Sequence, residues 1–351
     1  MIHVMIMAGG KGTRFWPLSR QTKPKQFLSI LDDQSLLETT INRVSGISDN
    51  QRTWILGSQS HCDMFDSLDL SVDPQYLLLE PFGKNTAACI AWGACEALKE
   101  DPDAICVVLS ADAWINSSEG FCQTIQQAVD VVKQEDALVT IGIPPTRPHP
   151  GYGYIAVDTK KGNANNAGYS VTAFQEKPSL DQAQSYIDQG YYWNAGMFVW
   201  RASRIMDCIK RHLPTHYDVI HSFTGKGIRA AADVSDYYSQ LESISIDYGV
   251  LEHEVDNMVL IPAQFQWDDI GSWSSLAPHF SQDSNQNASK HDLMAHHSHR
   301  NIVMSPKGKK VVLAYVDDLI IVDTDDALLI LPKEHDQAIK DIYDKLESEF
   351  Q

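Results

Sequence analysis

Residues 1–31 read MIHVMIMAGGKGTRFWPLSRQTKPKQFLSIL. The apolar run at residues 2–8 is followed at once by a glycine-rich turn, which predicts a buried β-strand ending in an anion-binding loop. Glycine has no Cβ, so backbone N–H groups can turn inward around an anion at the strand end. The stretch carries five basic residues and no Asp or Glu, although the net charge of the chain is −18; they are Lys11, Arg14, Arg20, Lys23 and Lys25. A phosphate-rich ligand is therefore expected here.

The region after this loop alternates strand and helix patterns. Apolar runs lie at 53–57, 76–79 and 104–109, and helical patterns lie at 35–45, 85–98 and 121–133. This alternation predicts an α/β fold with a Rossmann-like, parallel or mixed sheet covered on both faces. Such sheets bind ligands beyond the carboxyl ends of their strands. From about residue 151, further strands and a helix at 179–189 indicate an insertion on the same sheet.

The last part of the chain has a different pattern. We predict one large domain over 1–280, a polar linker or loop over 281–299, and a small β-rich domain over 300–351 with a terminal helix from about 335. The small domain contains the short apolar runs VVLAYV, LIIVD and ALLILP. Three successive strands of similar length suit a short β-helix, although no fixed-period repeat is evident.

Composition excludes several functional classes. Apolar residues make up 43% and charged residues 21%, as in ordinary globular proteins. No run of eighteen apolar residues occurs and the N-terminus lacks a signal-peptide pattern, so a cytoplasmic protein without a membrane span is expected. The acidic net charge argues against nucleic acid and anionic membranes as partners. Six cysteines without a C-x-x-C pair predict neither zinc nor disulfides.

The glycine loop also departs from two common nucleotide fingerprints. The pattern G-x-x-x-x-G-K-[ST] fails because Gly12 follows Lys11, and G-x-G-x-x-G fails because Phe15 occupies the last glycine position. ATPase and dinucleotide oxidoreductase functions are both disfavoured.

Residues 8–27, AGGKGTRFWPLSRQTKPKQF, resemble the signature loop of the sugar-nucleotide pyrophosphorylases. The FWPLSR and PKQF segments resemble the mannose-1-phosphate guanylyltransferases within that family. The resemblance extends over nearly the whole chain, because residues 316–332 are similar to the small left-handed β-helix that ends the family's short members. It implies a GT-A-like nucleotidyltransferase domain over 1–280.

The resemblance also implies which residues contact the nucleotide. Those around the triphosphate are Ala8, Gly9, Gly10, Lys11, Gly12, Thr13 and Arg14, with Lys25 bridging the phosphates during transfer. The segment PFGKNTAA, residues 81–88, resembles the part that lies against the base, which implies roles for Glu80, Pro81, Lys84, Asn85 and Thr86. From the residues alone, Asn85 is equally well explained as a helix start.

Displacement at a nucleotide α-phosphorus brings anions together and calls for a divalent cation. Asp112 and Asp269 follow apolar runs, and in the family aspartates at these places bind the metal, expected to be Mg²⁺. This chain departs from the family pattern P-S-D-H, since it has Ala113 in place of the His. The resemblance further implies a sugar site formed by Gly153, Glu176, Asn194 and Asp247, with Lys177 binding the sugar phosphate.

The implied reaction joins mannose 1-phosphate to GTP and releases pyrophosphate, with Arg14, Lys25, Asp112 and Lys177 as the catalytic residues. Two alternatives remain open. One is another enzyme of the same fold that uses a different sugar 1-phosphate or base. The other is a catalytically silent regulatory homologue, for which Ala113 is the only support. The sequence does not set the oligomeric state, and a homodimer is the assembly considered.

Overall fold

The structure is a computed structural model and describes residues 1–10, 12–48, 51–68, 70, 72–162 and 168–351. These residues form two compact units. The first unit comprises 1–9, 40–111 and 115–267, and the second comprises 10–39, 112–114 and 268–351. The second unit is therefore built from three separate stretches of chain, whereas we predicted two domains that are each continuous in sequence, 1–280 and 300–351, with a linker between them.

The strands are β1 (Ile2–Met7), β2 (Gln51–Ser58), β3 (Leu77–Glu80), β4 (Ile105–Ser110), β5 (Trp114–Ile115), β6 (Leu138–Ile143), β7 (Gly153–Gly162), β8 (Tyr169–Glu176), β9 (Tyr192–Arg201), β10 (Met258–Pro262), β11 (Trp267–Asp268), β12 (Ser281–Gln282), β13 (Ala288–Ser289), β14 (Leu293–His296), β15 (Ile302–Met304), β16 (Val311–Ala314), β17 (Leu319–Asp323) and β18 (Leu328–Pro332). The α-helices are α1 (Leu36–Val44), α2 (Cys62–Ser67), α3 (Asn85–Glu100), α4 (Ser118–Gln134), α5 (Leu180–Asp188), α6 (Ala202–His212), α7 (Pro214–Thr224), α8 (Ala231–Ser239), α9 (Ile246–Gly249), α10 (Trp273–Leu276) and α11 (Ile339–Tyr343). None of the helices formed by the described residues is long and apolar enough to cross a lipid bilayer.

The first unit is organised around a nine-stranded sheet in the order β3-β2-β1-β4-β9-β6-β10-β8-β7. The strands from β3 to β4 pair in parallel, and β9 pairs antiparallel with both β4 and β6. The prediction of a mixed α/β sheet is confirmed. The insertion predicted from residue 151 also lies on this sheet, as β7, β8 and β9.

Apart from His3, the side chains of the first strand are apolar on both faces, as expected for a buried central parallel strand. Val4, Met5 and Ile6 are all fully buried. Strand β1 is aligned with β4 so that Met7 lies opposite Ser110, and the amide of Ala111 donates to the Met7 carbonyl over 3.0 Å. The chain therefore leaves both strands at the same edge of the sheet.

The second unit contains parallel pairings that repeat at a fixed distance along the chain. Strand β14 pairs with β16, and β15 pairs with β17. The side chains of Arg300 and Asp318, 18 residues apart, form an ion pair along the same repeat. Left-handed backbone conformations recur with this spacing at His297 and Tyr315. These features are consistent with the predicted β-helix.

Buried asparagines connect successive turns of this region. Asn287 Oδ1 accepts hydrogen bonds from the backbone amide and side-chain amide of Asn301, over 3.0 and 2.8 Å. Asn301 Oδ1 in turn accepts from the amide of Leu319 over 2.9 Å. These bonds satisfy backbone groups that a short coil would otherwise bury without partners.

Segment 281–299 is not the loop that we expected, because it contains β12, β13 and β14. The prediction was wrong because we treated a polar, apolar-poor segment as unstructured. Asn287 and Ser298 are nevertheless buried, and Asn287 donates to the Ser298 carbonyl over 2.8 Å. Buried side-chain hydrogen bonds thus take the place of the apolar periodicity that the prediction required.

One hydrophobic cluster joins the stretches that make up the second unit. Phe15 and Trp16 from the N-terminal stretch pack in the same core as Ile302, Ile320 and Ile339. Ile320 and Ile339 are fully buried and Phe15 is 1% exposed. Phe15 and Trp16, at the end of the glycine-rich loop, therefore pack in one core with C-terminal strands and α11.

Candidate active site

The second unit holds a cavity of about 390 Å³ whose lining is mostly polar. Six predicted site residues line it together: Gly12, Thr13, Arg14, Lys25, Asp112 and Asp269. Four residues that the sequence did not single out complete the lining: Phe15, Ile270, Gly271 and Lys340. Residues that are far apart in sequence are thereby brought to one place. Lys11, also predicted to contact phosphates, lies outside the described residues.

Lys25 occupies the centre of this cavity's hydrogen-bond network. Its ammonium lies 2.9 Å from Asp112 Oδ2 and donates to the Asp269 carbonyl over 2.7 Å. The ring centroid of Phe15 is 5.5 Å from the same nitrogen, which adds a cation–π contact. Lys25 is only 5% exposed. Its position is thus set by three neighbours, and little rotational freedom remains to be lost on binding a ligand.

Gly12 allows the chain to pass close to Lys25. Its φ is +60°, and a Cβ placed there would lie 2.4 Å from Lys25 Cβ and 2.7 Å from Lys25 N. A side chain at this position would therefore collide with backbone and carry left-handed strain as well. Gly12 also precedes the short 3₁₀ helix Thr13–Phe15, which carries Arg14.

The Asp269 side of the cavity is shaped by a tight turn. Asp268 Oδ1 accepts from the amide of Ile270 over 2.8 Å, and Ile270 adopts a positive φ of 43°. A Cβ on Gly271 would lie 2.7 Å from Asp269 Oδ2, so only glycine fits without displacing that carboxylate. Arg14 Nη1 donates to the Gly271 carbonyl over 3.4 Å. Arg14, a cation of the glycine-rich loop, is thereby hydrogen-bonded to the turn that carries Asp269.

Gly10 is held in the second unit by Gln26, whose side-chain amide donates to the Gly10 carbonyl over 3.1 Å. In the first unit, Ala8 is buried at the end of β1 and its amide donates to Leu56. Gly9 lies near Glu80, since a Cβ on Gly9 would be 3.5 Å from Glu80 Oε2. Two predicted nucleotide-binding positions, Gly9 and Glu80, are therefore neighbours.

Glu80 is a buried carboxyl group at the end of β3, with 5% exposure. Burial raises its pKa from 4.5 to about 8, and the Tyr238 hydroxyl and the Lys84 backbone oppose this rise only in part. Glu80 is thus mostly protonated at neutral pH and can donate a hydrogen bond as well as accept one.

The predicted base-contacting segment surrounds the start of α3. Asn85 has a positive φ of 64° and its Oδ1 accepts from the amide of Thr86, so it shapes the start of the helix. The Lys84 ammonium donates to the Leu241 carbonyl over 2.5 Å, and Thr86 Oγ1 accepts from the amide of Ile246 over 2.9 Å. Pro81 is half-buried and precedes this turn. Lys84 and Thr86 therefore have structural partners in this state.

The predicted sugar-binding residues of the first unit form a second cluster. Asn194 Nδ2 donates to Asp247 Oδ1 over 2.8 Å. A Cβ on Gly153 would lie 2.1 Å from Glu176 Oε1 and 3.2 Å from Asn194 Cβ, so Gly153 makes room for both side chains. The Lys177 ammonium is 5.9 Å from the centroid of the Tyr248 ring.

The carboxyl groups of this cluster have raised pKa values. Burial and then the Asp247 carboxylate raise the pKa of Glu176 to about 7. Burial also raises the pKa values of Asp247 and Glu252. With a pKa of about 7, the Glu176 carboxyl group can donate a hydrogen bond when protonated as well as accept one, which suits recognition of a polyhydroxylated ligand. Glu252 and Tyr248, which our sequence analysis did not name as site residues, also lie close to this cluster.

Comparison with known proteins agrees with this geometry. The family model described as "Nucleotidyl transferase" matches residues 3–286. A mannose-1-phosphate guanylyltransferase of Salmonella montevideo is 38% identical, over 99% of this chain and 74% of the relative. The alginate biosynthesis protein AlgA of Pseudomonas aeruginosa is 32% identical, over 98% of this chain and 72% of the relative.

A solved structure is similar over nearly the whole length of this chain. The crystal structure of a Thermus thermophilus protein, described as a mannose-1-phosphate geranyltransferase, superposes with a TM-score of 0.85 and 31% identity. The match covers 98% of both chains. The nine-stranded sheet and the cavity around Lys25 agree with these matches. The matches show that the chain belongs to the nucleotidyl transferase family, among its mannose-1-phosphate guanylyltransferases.

Proposed function

We propose that this chain joins mannose 1-phosphate to GTP, forming GDP-mannose and pyrophosphate. A phosphate oxygen of mannose 1-phosphate attacks the α-phosphorus of GTP, and the bond between that phosphorus and the bridging oxygen to the β-phosphate breaks. The bonding electrons leave with pyrophosphate. No protein nucleophile is needed, so positioning and charge stabilisation carry the catalysis.

The observation that carries this proposal is the convergence of Lys25, Asp112 and Asp269 on one cavity that Arg14 also lines. Negative charge develops on the transferring phosphoryl group and on pyrophosphate, so fixed cations stabilise the transition state. Lys25 is held in place before any ligand binds. In this role it contacts the phosphates directly, and Arg14 provides a second cation from the loop.

Asp112 and Asp269 fit a divalent cation. Both supply hard carboxylate oxygens to the same cavity, and Mg²⁺ is usually bound by one or two carboxylates together with substrate phosphates and water. When bound, Mg²⁺ would neutralise phosphate charge and polarise the phosphorus–oxygen bonds. The Lys25 ammonium forms an ion pair with Asp112 and thereby orients that carboxylate. An Asp269→Asn variant is expected to need more Mg²⁺ for half-maximal turnover, and an unchanged Mg²⁺ titration would contradict the assignment.

In the first unit, we assign Glu80 and the segment from Pro81 to Thr86 to the base. Glu176, Asn194 and Asp247 are assigned to mannose hydroxyls, and Lys177 to the phosphate of mannose 1-phosphate. Support comes from the cluster's hydrogen bonds and from the raised pKa values of its carboxyl groups.

The experiment is a pyrophosphate-release assay on the purified chain with Mg²⁺. GTP, ATP, UTP and dTTP are each combined with mannose 1-phosphate and with glucose 1-phosphate. The highest kcat/KM is expected for GTP with mannose 1-phosphate. A higher value for another pair would assign the chain to a different sugar nucleotide. No release from any pair would favour the silent homologue, although Ala113 itself is a buried side chain that leaves the Asp112 contact with Lys25 intact.

A further inference from the structure

Helix α11, in the C-terminal stretch, is fixed against the glycine-rich loop of the same unit. Ile339 is fully buried and Tyr343 is 6% exposed, and both belong to the core that contains Phe15. Beyond the helix, the Phe350 carbonyl accepts from Trp16 Nε1 over 2.8 Å, and the Gln351 carbonyl accepts from the amide of Gln21 over 2.7 Å. The position of α11 relative to residues 13–21 is therefore well determined.

Lys340 lies between the two buried anchors of α11 and lines the cavity that holds Lys25, Asp112 and Asp269. The residue is exposed. Within the described ranges no carboxylate forms an ion pair with its ammonium, whereas Lys25 is paired with Asp112. Lys340 is thus a cation at the cavity that has no carboxylate partner among the residues that the structure describes.

The charges in the cavity indicate what such a cation would bind. Arg14, Lys25 and Lys340 are basic, and Asp112 and Asp269 are acidic. Lys25 is already engaged by a carboxylate and a carbonyl, and Arg14 by the Gly271 carbonyl. A nucleoside triphosphate carries most of its charge on the two terminal phosphates, and these leave together as pyrophosphate. Lys340 has the reach and the charge to bind them as a flexible ammonium donor.

We infer that Lys340 binds the β- and γ-phosphates of the incoming nucleotide and the pyrophosphate that leaves. The inference rests on the proposed nucleotidyl transfer and assigns a substrate contact to the C-terminal part of the chain. Lys340 acts mainly in binding, because the terminal phosphates are present both before and during transfer.

The test compares Lys340→Gln with Lys345→Gln in the full-length chain. Both variants remove one exposed lysine charge from the same C-terminal stretch, but only Lys340 lines the cavity. Lys340→Gln is expected to raise KM for GTP about tenfold and to change kcat and KM for mannose 1-phosphate by less than about twofold. Lys345→Gln should match the parent, and Lys340→Arg should recover most of the lost affinity. Thermal unfolding of each variant reports whether the fold is intact.

Calorimetric titration of the same proteins with inorganic pyrophosphate and Mg²⁺ gives a readout that does not need turnover. Weaker pyrophosphate binding by Lys340→Gln alone supports the inference. Equal binding by Lys340→Gln and Lys345→Gln, or no pyrophosphate binding by the parent chain, overturns it. If the parent binds pyrophosphate but turns over no substrate pair, the proposed function fails while the Lys340 contact is still decided by the titration.

Discussion

At the scale of single residues, the most important feature of the cavity is the fixed position of the Lys25 ammonium. A buried lysine needs partners for its charge, and here Asp112, the Asp269 carbonyl and the Phe15 ring supply them. Those partners also aim the ammonium into a cavity that would receive phosphates. A side chain that is positioned in advance stabilises a transition state without further reorganisation.

Replacing Lys25 by alanine tests that role. Lys25→Ala is expected to lower kcat by about a hundredfold or more, because a fixed cation is lost from the site of developing charge. Steady-state kinetics with GTP and mannose 1-phosphate measure the change. Lys23→Ala is the matched control, since Lys23 is exposed and does not line the cavity. Near-normal turnover of Lys25→Ala would remove Lys25 from the mechanism.

Glu80 gives a prediction on pH. Below about pH 4.5 both the folded and the unfolded chain hold its proton. As pH rises further, the unfolded chain loses the proton while the folded chain keeps it until about pH 8. The folded state therefore loses stability across this window, by a few kcal/mol in all, and the loss levels off above the folded pKa.

Glu80→Gln mimics the protonated acid and should remove this loss. Urea unfolding at about pH 5.5 and about pH 8 would show a smaller difference between the two pH values in Glu80→Gln than in the parent. Glu349→Gln, at an exposed glutamate, should leave the parent's difference unchanged. An identical difference in all three proteins would mean that Glu80 titrates normally.

At the scale of elements, the segment that follows β1 shows how local backbone geometry fixes the position of a side chain. Strand β1 ends at Met7, and the 3₁₀ helix that begins at Thr13 depends on the left-handed conformation of Gly12. The close approach of Gly12 to Lys25 places the loop's turn and its buried cation in direct contact. Local backbone geometry and the position of the charge are therefore coupled.

Alanine substitutions at two glycines of this loop test whether the close contact between Gly12 and Lys25 is needed, or only the presence of glycine in the loop. Gly12→Ala is expected to reduce kcat/KM strongly, because the new Cβ would displace Lys25. Gly10→Ala should be tolerated far better, since among the described atoms none lies within 4 Å of a Cβ placed there. Kinetics of both variants provide the comparison, and equal losses would show that the Lys25 contact is unimportant.

The elements also show what could be predicted from sequence. Strands β1 to β4, helices α1, α3 and α4, and the insertion on the sheet followed from apolar periodicity and turn chemistry, whereas α2, β5 and β6 were not predicted. The strands within 281–299 did not follow from these patterns, because this segment has few apolar side chains and its buried Asn287 is held by hydrogen bonds to Asn301. Lys340 could not be predicted either. Its approach to the cavity depends on how α11 packs, and no local pattern encodes that.

At the scale of the whole molecule, the second unit draws on both ends of the chain. Residues 10–39 share a core with residues 268–351, so the N-terminal loop has no complete apolar support without the C-terminal strands. A domain boundary at 281–299, as we predicted from the sequence, would divide this core. Stability of the β-helical region and function of the cavity are therefore expected to change together.

Two isoleucines in paired strands test this coupling. Ile320 in β17 is fully buried in the core that contains Phe15, whereas Ile330 in β18 is 57% exposed. Ile320→Ala should lower the free energy of unfolding by about 2–5 kcal/mol and should weaken GTP binding. Ile330→Ala should have little effect on either quantity. Chemical denaturation and GTP titration measure both, and a destabilised Ile320→Ala with unchanged GTP affinity would show that loop and strands are independent.

The shared core of the second unit also has a consequence for synthesis on the ribosome. The loop carrying Arg14 and Lys25 is translated first, but Ile302, Ile320 and Ile339 beneath it emerge near the end. Until these isoleucines emerge, the core that contains Phe15 and Trp16 is incomplete. Chaperones that bind exposed aromatic segments would therefore have their longest opportunity at this loop.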